Sequence, residues 1–206
     1  CSAMGLNKII IFNNTDGSGS FNSQILISDR SENPKGLCSG DFDNDGDIDI
    51  AATLSNQNPD EVVWYENGDA NFVVHHINPN RDAWDIAIYD INNDGNNDIF
   101  YTDGQYICLV ENQNSGESFS DEIILYQNGS NIFEISLVDI DNDNDMDLFV
   151  ADALADKVFW FENTDGNGSF SPLIMIDNQG NGPVDIDFSD TDADGDLMGK
   201  VPLLKM

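Results

Sequence analysis

The chain has 206 residues, and its 39 acidic against 7 basic side chains leave a formal net charge of −32 at neutral pH, roughly one uncompensated charge every six residues and well outside the usual range for a small domain. Such a surface repels phosphate backbones and anionic headgroups, which excludes nucleic acid and bare membrane as partners and leaves cations as the obvious ones. No apolar run approaches the roughly 18 residues of a transmembrane helix, so no membrane insertion is expected.

Acidity of this degree also accompanies disordered tails, but apolar clusters recur down the whole length. They are Ile9-Ile10-Ile11-Phe12, Val62-Val63-Trp64-Tyr65, Ile107-Cys108-Leu109-Val110 and Val158-Phe159-Trp160-Phe161. These can bury enough surface to offset chain entropy, so a folded chain is expected. No signal peptide can be read. Cys1, Cys38 and Cys108, odd in number and without a CxxC, indicate neither zinc nor a disulfide framework, and Cys38 and Cys108 read as small buried hydrophobes.

In chain order, residues 7–30 read as two strands around an Asn/Gly/Ser-rich turn, the last two strands of a repeating unit. Residues 35–82 divide at their turn signals into four short segments. The first runs into an acidic stretch, the second leaves it as Ile48-Asp49-Ile50-Ala51-Ala52, the third is the aromatic cluster at 62–67, and the fourth follows a tight turn at 72–77. Residues 83–130 and 131–178 repeat this order, and residues 183–206 begin a further, truncated unit whose end, from Met198 onward, departs from the pattern. Alternation of Trp84, Ile86 and Ile88, of Phe133, Ile135 and Leu137, and of Val184, Ile186 and Phe188 predicts first strands with one buried face. Gly and Asn interrupt every candidate helix, which excludes a helical solenoid.

Two markers set the repeat. Acidic nonapeptides beginning at Asp41, Asp90, Asp139 and Asp190 read DFDNDGDID, DINNDGNND, DIDNDNDMD and DTDADGDLM, spaced by 49, 49 and 51 residues. Between them fall Phe12-Asn13-Asn14 … Phe21, Tyr65-Glu66-Asn67 … Phe72, Val110-Glu111-Asn112 … Phe119 and Phe161-Glu162-Asn163 … Phe170. Four antiparallel strands per unit of about 50 residues indicate an all-β chain, a β-propeller fragment of four-stranded blades with an acidic loop between strands 1 and 2 of each.

Positions 1, 3, 5 and 9 of the first three nonapeptides carry a carboxylate or amide: Asp41, Asp43, Asp45 and Asp49; Asp90, Asn92, Asp94 and Asp98; Asp139, Asp141, Asp143 and Asp147. Alternate placement on a tight loop lets these oxygens converge, and position 7, held by Asp47, Asn96 and Asp145, can add a main-chain carbonyl. A flexible cage of hard oxygens suits Ca²⁺ better than Mg²⁺, which keeps its water and demands strict octahedral geometry. Gly46, Gly95 and Gly195 at position 6 permit the sharp turn, and Asn144 takes that place in the third copy. Solvated acidic turns are the alternative, but like charges at about 4 Å repel by about 1 kcal/mol per pair even in water. An EF-hand closes with a bidentate Glu at position 12, where this chain has Ala52, Tyr101 and Val150.

The stretches Gly40-Asp41-Phe42-Asp43-Asn44-Asp45-Gly46-Asp47-Ile48-Asp49 and Phe161-Glu162-Asn163-Thr164-Asp165-Gly166-Asn167-Gly168-Ser169-Phe170 resemble the FG-GAP or VCBS repeat, the calcium-loop blade of integrin α-subunit propellers and of many secreted bacterial proteins. The resemblance covers about residues 7–197. It implies that the loop carboxylates are Ca²⁺ ligands, extends that role to Asp190, Asp192 and Asp194 although Met198 stands at the fourth position 9, and implies a ring of about seven blades. The Trp-Tyr-Glu-Asn style of the third strand is similar to exported, cell-surface-attached bacterial proteins, which implies an extracellular or cell-surface location.

Two functions follow as expectations. The first is a calcium-binding, non-catalytic module offering a binding or adhesion scaffold to a carbohydrate or a cell-surface protein. The alternative is the propeller portion of a secreted polysaccharide lyase or hydrolase, for which Asp85, Glu134 and Asp185, each five residues before a loop, would form a carboxylate ring. His75 and His76 point to opposite faces of a strand and cannot chelate one metal together. Trp64, Trp84 and Trp160 read as packing between blades rather than as sugar platforms. An open arc with exposed edges, prone to self-association, is expected in preference to a small closed ring.

Overall fold

The computed structural model describes residues 2–3, 7–21, 23–29, 33–55, 60–68, 71–79, 81–189 and 198–200. Among these residues there is no helix; the chain is all-β and antiparallel throughout. It divides into two compact units, Cys1–Ile86 and Ala87–Met206.

In the first unit, β1 (Ser2–Ala3), β2 (Lys8–Asn13) and β3 (Ser23–Ser28) form a three-stranded sheet. The strands β4 (Asn33–Gly40), β5 (Asp49–Ser55), β6 (Glu61–Asn67) and β7 (Phe72–Pro79) form a four-stranded sheet in sequence order. Ile9 of the first sheet packs with Ala52, Leu54, Val63 and Tyr65 of the second, and Ile27, Leu37 and Ile50 close the cluster. Gly36 in β4 marks a close approach, since a Cβ there would lie 3.0 Å from Asp85 Cα.

The second unit repeats the four-stranded plan. β9 (Asp98–Thr102), β10 (Ile107–Val110) and β13 (Ile123–Tyr126) join β8 (Asp85–Tyr89), which straddles the boundary between the units, in the order β13-β10-β9-β8. β11 (Asn112–Gln113) and β12 (Ser118–Phe119) are the hairpin ends between β10 and β13. β14 (Ile132–Val138), β15 (Asp147–Asp152), β16 (Lys157–Phe161) and β17 (Ile174–Asp177) form the next sheet, and β18 (Asp187–Ser189) pairs with β19 (Met198–Lys200).

Every residue of β15 is buried, because this strand is covered on both faces. Leu148 and Val150 join Phe100, Leu109, Ile135 and Phe159 on one side, whereas Phe149 and Ala151 join Val158 and Ile186 on the other. Stacked sheets therefore turn a period-2 strand into a continuous apolar run. These four-stranded sheets are propeller-like blades.

Two expectations on the strands need correction. Phe133 does not face the core: it is 43% exposed, while Ile132 and Ile135 are buried. A β-bulge between Ile132 and Glu134 shifts the register against β15 and turns Phe133 outward. Met198–Lys200 does not leave the pattern, since Ser189 pairs with Met198 as Val138 pairs with Asp147 and Gly40 with Asp49. Backbone register is set by the ladder, and it survives loss of the carboxylate.

Candidate functional site

Each acidic loop connects the first and second strands of its sheet, and the three described loops share one hydrogen-bond scheme. The position-1 carboxylate accepts the position-6 N–H: Gly46 to Asp41 at 3.1 Å, Gly95 to Asp90 at 2.9 Å and Asn144 to Asp139 at 3.1 Å. Position 3 accepts from position 5 in the first two loops, and position 5 accepts from position 7 in all three, at 2.8 to 3.2 Å. Two residues per loop have positive φ: Asn44 and Gly46, Asn93 and Gly95, Asn142 and Asn144. The turn at position 6 was legible in the sequence. The one at position 4 was missed, although Asn recurs there three times, and Asn is the side chain best able to occupy that region.

Position 9 fastens each loop to the far end of the third strand. Asp49, Asp98 and Asp147 are buried, and each spreads its two oxygens over two main-chain donors. Asp49 accepts Phe42 N–H at 2.9 Å and Asn67 N–H at 2.8 Å. Asp98 accepts Ile91 N–H at 3.2 Å and Asn112 N–H at 2.8 Å. Asp147 accepts Ile140 N–H at 3.2 Å and Asn163 N–H at 2.9 Å. This explains the Glu-Asn marker, whose function the sequence left unassigned. The Asn main chain binds the loop, and the side-chain oxygens of Asn112 and Asn163 accept Gly116 and Gly168 N–H in the following turn.

The scheme gathers negative charge. Asp41, Asp43 and Asp45 each offer an oxygen within 4.8 Å of the other two, as do Asp139, Asp141 and Asp143. In the second loop the oxygens of Asp90 and Asn92 converge on one donor, Asp94 N–H, each at 3.0 Å. Burial first, then neighbouring carboxylates, hold Asp43 and Asp141 above the usual range. Burial likewise raises Asp49 and Asp147, and pushes Asp98 up to about 7 and Asp145 to about 6. The ion pairs of Lys35 with Asp82, His75 with Glu66 and His76 with Glu61 all fall outside these loops.

The residues fit a hard divalent cation. Their donors are carboxylates, one amide and main-chain carbonyls, all oxygen, which is the chemistry such ions select. Asp145 Oδ1 is buried with no hydrogen-bond partner, an arrangement that costs about 1–3 kcal/mol or more unless something compensates it. Asp47 is exposed, and Asn96 is engaged with Asp94 and Ser115. In the first two loops position 7 would therefore offer its main-chain carbonyl. Asp190, Asp192 and Asp194 lie outside the described residues.

An FG-GAP-like repeat model matches four overlapping stretches, residues 2–52, 41–101, 90–150 and 139–198. The chain belongs to the FG-GAP-like repeat family. Three of the four FG-GAP-like matches begin on the first aspartate of an acidic loop, so the family unit runs from one loop through the next. No curated protein matches the chain.

Several other residues singled out in the sequence have structural partners in this FG-GAP-like chain. Glu134 accepts Ile186 N–H at 2.8 Å and Ser136 Oγ–H at 3.2 Å, tying β14 to the approach of β18. Asp185 is exposed, and Asp85 is half-buried. His75 stacks on Trp64 with ring centroids 4.3 Å apart and bonds Glu66 at 2.7 Å, while His76 bonds Glu61 at 3.1 Å. The two imidazoles thus serve different partners. Trp64 is buried, whereas Trp84 and Trp160 are half-buried, and Lys35 Nζ sits 5.3 Å over the Trp84 ring. Cys108 is buried; Cys38 is only partly so, yet burial pushes its thiol up to about 12. Among the described residues, a cleft of about 310 Å³ beside Ile25, Leu26, Asn67 and Phe72 has no titratable group in its lining. A smaller one of about 190 Å³, lined mainly by Ile9, Ile11, Ile27 and Leu37, also includes Cys38.

Proposed function

We propose that the chain is an extracellular, calcium-binding, non-catalytic module whose blades present a binding or adhesion surface to a carbohydrate or cell-surface protein. The observation that carries the calcium reading is the convergence of three carboxylates within 4.8 Å in two loops, with Asp43 and Asp141 held above their usual range by burial and mutual repulsion. Asp41, Asp43, Asp45 and Asp49, with Asp47 through its carbonyl, would hold the first ion. Asp90, Asn92, Asp94, Asp98 and Asn96 would hold the second, and Asp139, Asp141, Asp143, Asp147 and Asp145 the third. Bound calcium supplies positive charge that removes this repulsion and fixes the loop between the first two strands. Extracellular modules bind it at about 10⁻⁴ to 10⁻³ M, a range met outside cells.

The non-catalytic reading is supported by the engagement of Glu134 with Ile186 N–H, which commits one acid of the supposed ring to holding strands together. The test is retention on a panel of immobilised polysaccharides and cell-surface proteins, in calcium and in chelator, with a parallel assay for released sugar products. Calcium-dependent retention without products is expected. Release of oligosaccharides by the purified chain would overturn the reading in favour of a lyase or hydrolase.

A further inference from the structure

The hairpin at residues 163–170, between β16 and β17, touches two acidic loops at once. At its base, Asn163 N–H is held by Asp147 of the third loop at 2.9 Å, and Asn163 Oδ1 accepts Gly168 N–H at 3.0 Å. Towards its tip, Gly166 carbonyl accepts a hydrogen bond from Asn93 Nδ2 of the second loop at 2.5 Å. The same glycine, at φ +64°, lies so near the third loop that a Cβ there would be 3.2 Å from Asp145 Oδ2. Gly168, at φ +83°, lies so near the second that a Cβ would be 3.4 Å from Ile91 Cγ2. Ile91 N–H in turn binds Asp98, the position-9 acid of the second loop.

A continuous path of hydrogen bonds and one close approach, of Gly168 to Ile91, therefore runs from Asp147 through Asn163 to Asp98, with Asn93 to Gly166 as a second strut. We propose that this hairpin couples the second and third loops, so that a cation bound in one raises the affinity of the other. The proposal rests on the calcium reading above. An ion that fixes the third loop orders Asp147 and Asp145, and with them the hairpin. The ordered hairpin then holds Asn93 and Ile91 in the conformation the second loop needs, and linkage makes the effect reciprocal. The two-state element that both loops bias is the hairpin itself, closed on both or open.

The test is a calcium titration of the whole chain, stripped with chelator and labelled with ¹⁵N, in which the Gly95 amide reports the second loop and the Asn144 amide the third. Silencing the third loop with Asp141→Asn and Asp143→Asn is expected to weaken the second about five-fold, the lower end of common coupling strengths. In an Asn93→Gly background, which keeps positive φ accessible but removes the strut, the same silencing is expected to change it less than about two-fold. Independence of the second loop from the third overturns the coupling and leaves calcium binding intact, and an equal response in both backgrounds overturns the part assigned to the Asn93 strut. No response of either amide to calcium overturns the calcium reading and the coupling together.

Discussion

Replacing Asp147 with alanine removes the anchor of the third loop. Its carboxylate is fully buried and accepts two main-chain N–H groups, Asn163 at 2.9 Å and Ile140 at 3.2 Å. Each donor left unsatisfied costs about 1–3 kcal/mol, which sets the gross loss at about 2–6 kcal/mol. The loss in chelator falls near the lower end, because burial and the charges of Asp141 and Asp143 already oppose ionisation of Asp147, and that opposition disappears with the side chain. Equilibrium urea unfolding in chelator should therefore register about 2 kcal/mol. In calcium at about 100 times the Kd, loss of the third ion adds about 2.7 kcal/mol, so the same substitution should cost roughly twice as much. Asp147→Asn keeps one acceptor and should lose about half as much as alanine in chelator. Equal stability of wild type and Asp147→Ala, in calcium and in chelator alike, would refute both the staple and the ligand role.

Phe159→Ala, in the core shared by two sheets, should cost about 3–5 kcal/mol, whereas Phe133→Ala, on the outward side of the bulge, should cost under about 1 kcal/mol; thermal melts that rank them the other way would contradict the register. Asn142→Ala places a Cβ-bearing residue with poor left-handed tolerance at φ +63° and should lose about 1 kcal/mol, with Asn142→Gly near neutral. In chelator, stability should fall as pH rises from about 4 to 7. Asp98, raised in the folded chain to about 7, is protonated there while its unfolded counterpart, near 3.9, is ionised, so its contribution is complete below the unfolded value and lost through the folded one. Urea midpoints that rise over that interval would contradict the assignment, and Asp98→Asn should flatten the slope.

Much of this was legible because the repeat exposes it. Nonapeptides 49 residues apart disclose the loops, and the turn-bounded apolar segments disclose the strands. What the sequence hid depends on partners distant in the chain. Nothing around Phe133 signals the bulge, which arises from the pairing of β14 with β15. Glu134 looked like one member of a carboxylate ring, and the approach of Ile186, distant in the chain, gives it a structural role. Met198 looked like the end of the pattern because a side chain was missing, yet pairing with Ser189 is a main-chain property. The Asn of the Glu-Asn marker was visible as a repeat, but its link to position 9 spans 14 to 18 residues and becomes evident only when the third strand returns beside the loop.

The central claim is that cations complete the acidic loops, and a calorimetric calcium titration of the chelator-stripped chain, followed in parallel by circular dichroism, tests it most directly. At least three sites with Kd below about 1 mM, together with a gain in β-structure or a thermal midpoint raised by several degrees, is the expected result. Three ions at about 100 times their Kd would together add about 8 kcal/mol. No binding heat and an unchanged spectrum at millimolar calcium would contradict it, and the loops would then be solvated acidic turns held by their hydrogen bonds alone.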